Sequence, residues 1–149
     1  MNTIIKIQNK KAGFEYHFLE TYIAGVVLLG TEVKSIRNSK VNLTDAFCSF
    51  HRGELFLRNA TIQPYDKGGN YYNHAPKRDR KLLLKSTELK KIVNKLKDIG
   101  LTIVPIDLFM DERGFVKVTI AVAKGKKLYD KREDIKKKDI TRQMNREDA

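Results

Sequence analysis

Lys124, Lys126 and Lys127, followed by Lys131 and Arg132, place five cations within nine residues around one tyrosine, Tyr129. Ammonium and guanidinium groups at this density suit phosphate neutralisation. A second concentration runs from Lys77 to Lys97, where nine basic residues face only Asp79 and Glu88, a local net charge of +7. It adjoins a polar stretch, 66–79, that carries Tyr71, Tyr72 and His74. Cations beside aromatic rings suit RNA, whose phosphates fix position while unpaired bases stack. Within NHAPKRDRK, Lys77, Arg78 and Arg80 follow a turn proline and are the stronger candidates. The lysines at 90, 91, 95 and 97 fit a merely solvated helix face equally well.

Residues with catalytic potential are sparse. Cys48 is alone in AFCSF, so it forms no internal disulfide and suits a small hydrophobe in a strand. His17, His51 and His74 lack metal-ligand spacing, and neither a metal nor a cofactor is expected. GVVLLG has neither the spacing nor the lysine-serine pair of a phosphate-cradling loop. Glu32, Asp45, Asp66, Asp107 and Asp111 each fit a cap, turn or surface position, and their spacing proves no cluster. A His17–Cys48 or Glu32–His17 pair is left open by sequence, but a binding protein is the expectation, not an enzyme.

The whole chain has 149 residues, 41% hydrophobic content and a formal net charge of +12. That length fits one domain with a real core. The charge attracts polyanions, nucleic acid foremost, with membrane surfaces and simple solubility as alternatives. No run approaches a membrane span, and MNTIIKIQNKKAG lacks a long apolar leader segment, so cytoplasm is expected.

The elements that must position these groups follow from periodicity. TIIKIQN suggests a strand, NKKAG a turn, and FEYHFLETYIAGVVLL (14–29) a long strand with a bend or bulge at Gly25. A short helix with Thr31 as cap and Glu32 in its first turn should end near Asn38–Ser39. Residues 43–50 and 54–62 form a hairpin about HRG, with Ala46, Cys48 and Phe50 on one side and Leu55, Leu57 and Asn59 on one side of the partner. Residues 66–79 form a long loop. Leu89, Ile92, Val93, Leu96 and Ile99 set a helix over 86–99, closed by Gly100. A second hairpin pairs LTIVPIDLFM with FVKVTIAVA through DERG, and Pro105 requires an edge or a bulge. The expected architecture is mostly β: a small, closed or nearly closed antiparallel barrel with flanking helices, an α+β sandwich being the alternative.

After the barrel, Asp130 and Glu133 have capping-box spacing, and Glu133–Lys137 and Asp134–Lys138 are favourable helical pairs. The apolar residues Ile135, Ile140 and Met144 make too thin a stripe to fasten a helix to a core. The expectation is a tail largely unstructured alone and helical against a polyanionic partner, an inert frayed terminus being the alternative.

Several stretches together carry a resemblance: AGVVLLGTEVKSIR (24–37), VNLTDAF (41–47), HAPKRDRKLLL (74–84), TIVPIDLF (102–109) and VKVTIAVAKGKKLYDKRE (116–133). In this order they resemble the SmpB family, the bacterial tmRNA-binding proteins. The resemblance implies an OB-like barrel over 1–123 and a basic tail, 124–149, disordered when free and helical on the ribosome. It implies binding to the tRNA-like domain of tmRNA and delivery to stalled ribosomes for trans-translation, with the tail in the empty mRNA channel. The implied partners are tmRNA, small-subunit rRNA within the 70S ribosome, and elongation factor Tu indirectly through alanyl-tmRNA, with the protein a monomer.

By the same resemblance, Glu32, Lys34, Asn42, Lys124, Lys126 and Lys127 match positions linked to the RNA-binding face. Glu32 either accepts a hydrogen bond from RNA or orders neighbouring basic side chains. Asp130, Lys131 and Arg132 match the segment that starts the tail, and Tyr129 stands where some members have histidine. Lys136, Lys137, Lys138, Arg142 and Arg146 are expected to reach rRNA, with Ile140 and Met144 against the channel wall.

Overall fold

The computed structural model describes residues 3–65, 73–127 and 131–138. Its strands are β1 (Thr3–Gln8), β2 (Tyr16–Val26), β3 (Val41–Asn42), β4 (Phe47–His51), β5 (Glu54–Arg58), β6 (Thr61–Ile62), β7 (Arg80–Leu83), β8 (Leu101–Asp111) and β9 (Val116–Gly125). The helices are α1 (Lys10–Glu15), α2 (Gly30–Arg37), α3 (Ser86–Lys95) and α4 (131–138). The strand order β1-β8-β4-β5-β7-β2-β9 is closed by an additional β8–β9 pairing, and every pair is antiparallel. Six strands therefore make a ring and β1 lies outside it against β8. The expected OB-like, mostly β architecture with flanking helices is what the chain forms.

Alternation fills the barrel. Val116, Val118, Ile120 and Val122 of β9 point inward with Leu55 and Leu57 of β5, Ile103 and Leu108 of β8, and Cys48 of β4. Ile36 of α2 and Ile92 of α3, both without exposed surface, belong to the same cluster. On the outer face, Ala123 meets Val104 and Ala12, so α1 covers a patch of small residues on β8 and β9. The β4–β5 hairpin turns through Arg52 (φ 52°) and Gly53 (φ 78°), a left-handed pair that matches the strand twist.

Several elements differ from expectation. NKKAG and the following Phe14–Glu15 are not turn and strand but α1, because the Asn9 side chain accepts from the Ala12 N–H at 3.3 Å and starts a helix. The irregularity in β2 falls between Phe18 and Glu20, not at Gly25. Pro105 lies in a strand paired on both sides, and a register shift between Pro105 and Asp107 accommodates it. Asn59 leaves the strand with φ 61° and donates from Nδ2 to the Asp45 carbonyl. α3 stops at Lys95: the Lys97 and Asp98 N–H groups bond to Asn94 and Lys95 in tightened turns, leaving Ile99 fully exposed. β7 is not among the expected strands, and β9 runs to Gly125.

Candidate nucleic-acid interface

The residues singled out by sequence gather at two ends of the barrel. At one end, β2 passes into α2 and Glu32 sits in the first turn of that helix. Its Oε1 accepts from the Leu29 N–H at 2.8 Å, satisfying a helix-terminal donor, so Glu32 does the capping expected of Thr31. The Glu32 carboxylate has no exposed surface and is bound by two arginines. Arg80 Nη2 lies 2.6 Å and Nε 2.7 Å from Oε2, while Arg78 Nη2 lies 2.5 Å from Oε1. Burial pushes the Glu32 carboxyl up, but the bonds from Arg78, the Leu29 N–H and Arg80 outweigh it and hold the group below its ordinary value of 4.5.

Arg80 is equally buried and has a partner at each of its three nitrogens, donating also to the Ala60 carbonyl at 2.7 Å and the Pro76 carbonyl at 3.1 Å. Neither Glu32 nor Arg80 has surface to offer RNA. Of the two roles left open for Glu32, the geometry displays the ordering of basic side chains. Arg78 is the outward member of the triad, 31% exposed, held by Glu32 on one edge.

Around this triad the 73–79 segment is pinned to α2 and β6. Asn73 bonds the Tyr65 backbone in both directions, accepting from the N–H at 3.0 Å and donating to the carbonyl at 2.8 Å. His74 is buried, and its Nε2 donates to the Ile62 carbonyl at 2.8 Å. In the neutral ring that leaves Nδ1 to accept from the Thr31 hydroxyl at 2.9 Å. Lys34 is exposed with its ammonium 5.3 Å from the Tyr65 ring centre, and Lys77 is exposed nearby in the chain. Asn42 is exposed too, its Oδ1 accepting from the Thr44 N–H, which fixes the turn after β3.

The other end holds the close of β9. Tyr16 pairs with Gly125 and His17 with Lys124, whereas Gly25 at the far end of β2 pairs with Lys117. The eleven residues of β2 span about 35 Å at roughly 3.3 Å each, so the lysines and the Glu32 triad form two patches and not one. Lys124 and Lys127 are exposed. Lys126 is not: its backbone N–H bonds the Glu15 carbonyl at 2.7 Å, and its ammonium contacts the Gly13 carbonyl and the Asp134 carboxylate.

Within α4, Lys131 and Lys138 approach the Phe14 ring at 5.8 Å and 6.0 Å, and Arg132, Lys136 and Lys137 are part of the same helix. Asp134 thus pairs with Lys126 and not, as expected, with Lys138. Tyr129, Asp130, Ile140, Arg142, Met144 and Arg146, like Tyr71 and Tyr72, lie outside the described residues.

The model of the family described as SmpB protein matches residues 6–149. The chain belongs to the SmpB family. An SsrA-binding protein of Cytophaga hutchinsonii is 56% identical over 95% of this chain and 92% of its own. One from Bacteroides thetaiotaomicron is 53% identical over 95% and 94%. A solved structure described as "tmRNA-SmpB: a journey to the center of the bacterial ribosome" superposes with a TM-score of 0.70 at 47% identity, covering 83% of this chain and 85% of that one. SmpB proteins are RNA-binding adaptors without catalytic chemistry. The Cys48 thiol is buried in the core, and burial pushes its pKa up. Among the described residues no three His, Cys, Asp or Glu side chains converge to hold a metal.

Three contributors escape sequence reasoning. Tyr65 and Asn73 bracket a loop whose own tyrosines are the more conspicuous candidates. Phe14 reads as strand in the sequence, although Asn9, three residues before Ala12, is a usable sign of a helix start.

Proposed function

We propose that this chain binds the tRNA-like domain of tmRNA and brings it to stalled ribosomes for trans-translation. The family match carries the reading, because it spans both the barrel and the basic segment beyond Gly125. The outward cations Lys34, Lys77, Arg78, Lys124 and Lys127 neutralise RNA phosphates, and Asn42 joins the first three from the β3–β6 pair. Glu32 and Arg80 position Arg78 from beneath. Lys126 belongs to the same RNA-binding set as Lys124 and Lys127.

The tail, beginning at 124, enters the empty mRNA channel and is helical there. Lys131, Arg132, Lys136, Lys137, Lys138, Arg142 and Arg146 face small-subunit rRNA, Ile140 and Met144 face the channel wall, and Tyr129 with Asp130 sits at the decoding centre. Delivery proceeds with elongation factor Tu through alanyl-tmRNA, and the protein acts as a cytoplasmic monomer. No helix among the described residues is long and apolar enough to cross a membrane.

Competition binding at near-physiological salt tests the RNA assignment, because low salt lets any polyanion bind a basic protein. The tRNA-like domain of tmRNA should outcompete tRNA and random duplex. Equal affinity for all three would reduce the protein to a general RNA binder. Truncation after Tyr129 should spare most of that affinity while abolishing tagging on stalled ribosomes. Full tagging by the truncated chain would refute the tail's role.

A further inference from the structure

Lys77 and Arg78 sit in a stretch, 73–79, that belongs to no strand or helix, so no ladder fixes where their charges lie. Glu32 fixes Arg78 directly. Lys77 is exposed and has no such partner among the described residues, so its place is set by the backbone around it. The Pro76 carbonyl accepts from the Ile62 N–H at 2.9 Å and from Arg80 Nη2 at 3.1 Å, and the Arg78 N–H closes the turn on the Ala75 carbonyl at 3.2 Å.

His74 holds the start of that turn. Its Nε2 donates to the Ile62 carbonyl, which has no proton to give, so in the neutral ring Nδ1 is left as an acceptor. The Thr31 hydroxyl, 2.9 Å from Nδ1, supplies the proton. The His74 residue is only 6% exposed, and a buried nitrogen left without a partner is destabilising. Thr31 and Glu32 are consecutive residues of α2, and they hold the same stretch on either side of Lys77: Thr31 through His74, Glu32 through Arg78 and Arg80.

We propose that Thr31 and His74 are positioning residues for RNA binding, acting on Lys77 as Glu32 acts on Arg78. The pair ties the start of the turn to α2 and β6, so the Lys77 ammonium is presented at a fixed interval from Arg78 and from Lys34 of α2. A cation so placed meets a phosphate without the ordering cost that a loose segment would incur. Without the Thr31 hydroxyl, either Nδ1 stays unpaired or the ring proton moves to Nδ1 and the Ile62 carbonyl loses its donor. This inference rests on the reading of Lys77 as an RNA-binding residue.

Binding of the tRNA-like domain of tmRNA at several salt concentrations tests it, with T31V and H74Q as untying variants, each made also in K77A. T31V keeps the shape of threonine without its hydroxyl. H74Q keeps a donor for the Ile62 carbonyl and places no acceptor at the Nδ1 position. Both should weaken binding about two- to tenfold, the range of one lost hydrogen bond, and shallow the dependence of log affinity on log salt by about 0.7–0.9, one phosphate. T31S, which retains a hydroxyl, should bind as the unaltered protein does. In K77A neither untying substitution should change affinity or slope further. Urea denaturation gives the folded fraction of each variant, to which the affinities are referred.

Equal losses with and without Lys77 would overturn the proposal, because a role confined to folding acts on both backgrounds alike. Unchanged binding in T31V and H74Q would overturn it too, as would T31S binding as poorly as T31V. Failure of the unaltered protein to prefer tmRNA over random duplex would instead refute the proposed function, and a T31V effect on duplex that vanishes in K77A would still support the positioning.

Discussion

Glu32 keeps a negative charge where no water reaches it because two guanidinium groups and a helix-terminal N–H converge on its two oxygens. Removing one partner of such a set leaves an uncompensated buried charge, so Glu32→Ala should lower the unfolding free energy by about 3–5 kcal/mol. Urea denaturation measures this, and a loss below about 1 kcal/mol would mean that the Arg80 side chain finds solvent. Arg80→Lys should not be tolerated, since an ammonium cannot reach Glu32 and the Ala60 and Pro76 carbonyls together.

The carboxyl's pKa is lower in the folded protein than in the unfolded chain. Its stabilisation is therefore complete above its ordinary value of 4.5 and is lost as pH falls through the lower folded value. Glu32→Gln should flatten that acidic limb of the stability profile. Retention of the full limb in the variant would assign it to other carboxylates. At this scale the sequence was legible only in part. A glutamate at a helix start reads as a cap, which Glu32 is, but its two arginine partners are 46 and 48 residues away. No local pattern announces such a pairing.

Long alternating strands declare themselves, and β2, β8 and β9 together with the β4–β5 hairpin were visible for that reason. β7 was hidden by the same chemistry that makes it important. Its burial alternates, with Arg80 and Leu82 inward, but an arginine at an inward position erases the apolar signature. α1 was hidden by brevity, since six residues and one buried alanine make no periodic stripe. α4 shows the reverse case: its local helix signals were clear and its docking surface was not, because Phe14 lies over a hundred residues earlier.

Because α4 is fastened by surface contacts, truncation after Lys127 should cost the barrel less than about 1 kcal/mol. Truncation after Ala123 should cost more, since it removes the β9 positions that pair with Tyr16 and His17 and the Lys126 N–H bond to Glu15. Thermal unfolding of the two fragments checks the order. Equal melting temperatures would place the structural end of the barrel at 123.

Across the whole molecule, charge and contact are distributed differently. The net charge of +12 attracts any RNA, but some of the cations are already engaged: Arg80 with Glu32, Lys126 with Asp134, Lys95 with Glu20 and Lys81 with Glu54. Charge counted along the sequence therefore overstates what is offered to phosphates. Replacing an exposed cation, as in Lys77→Ala or Lys124→Ala, should shallow the dependence of log affinity on log salt by about 0.7–0.9 for each phosphate the lysine neutralises. Lys81→Ala, whose ammonium already faces Glu54, should leave the slope unchanged. Binding isotherms at several salt concentrations decide it, and identical slopes for all three variants would show that none of these lysines meets a phosphate.

The β2–β9 ladder, paired from Tyr16–Gly125 to Gly25–Lys117, runs between the two basic ends and is hydrogen-bonded into the ring on its other sides as well. A ladder braced in this way resists bending, so the protein behaves as a gauge. The triad end and the lysine end keep their spacing, and an RNA that engages both must bring its own contact points to that interval. Adjustment then falls to the RNA or to the chain beyond Lys127. A one-residue insertion in β2 would shift one end against the other and turn every side chain beyond it to the opposite face.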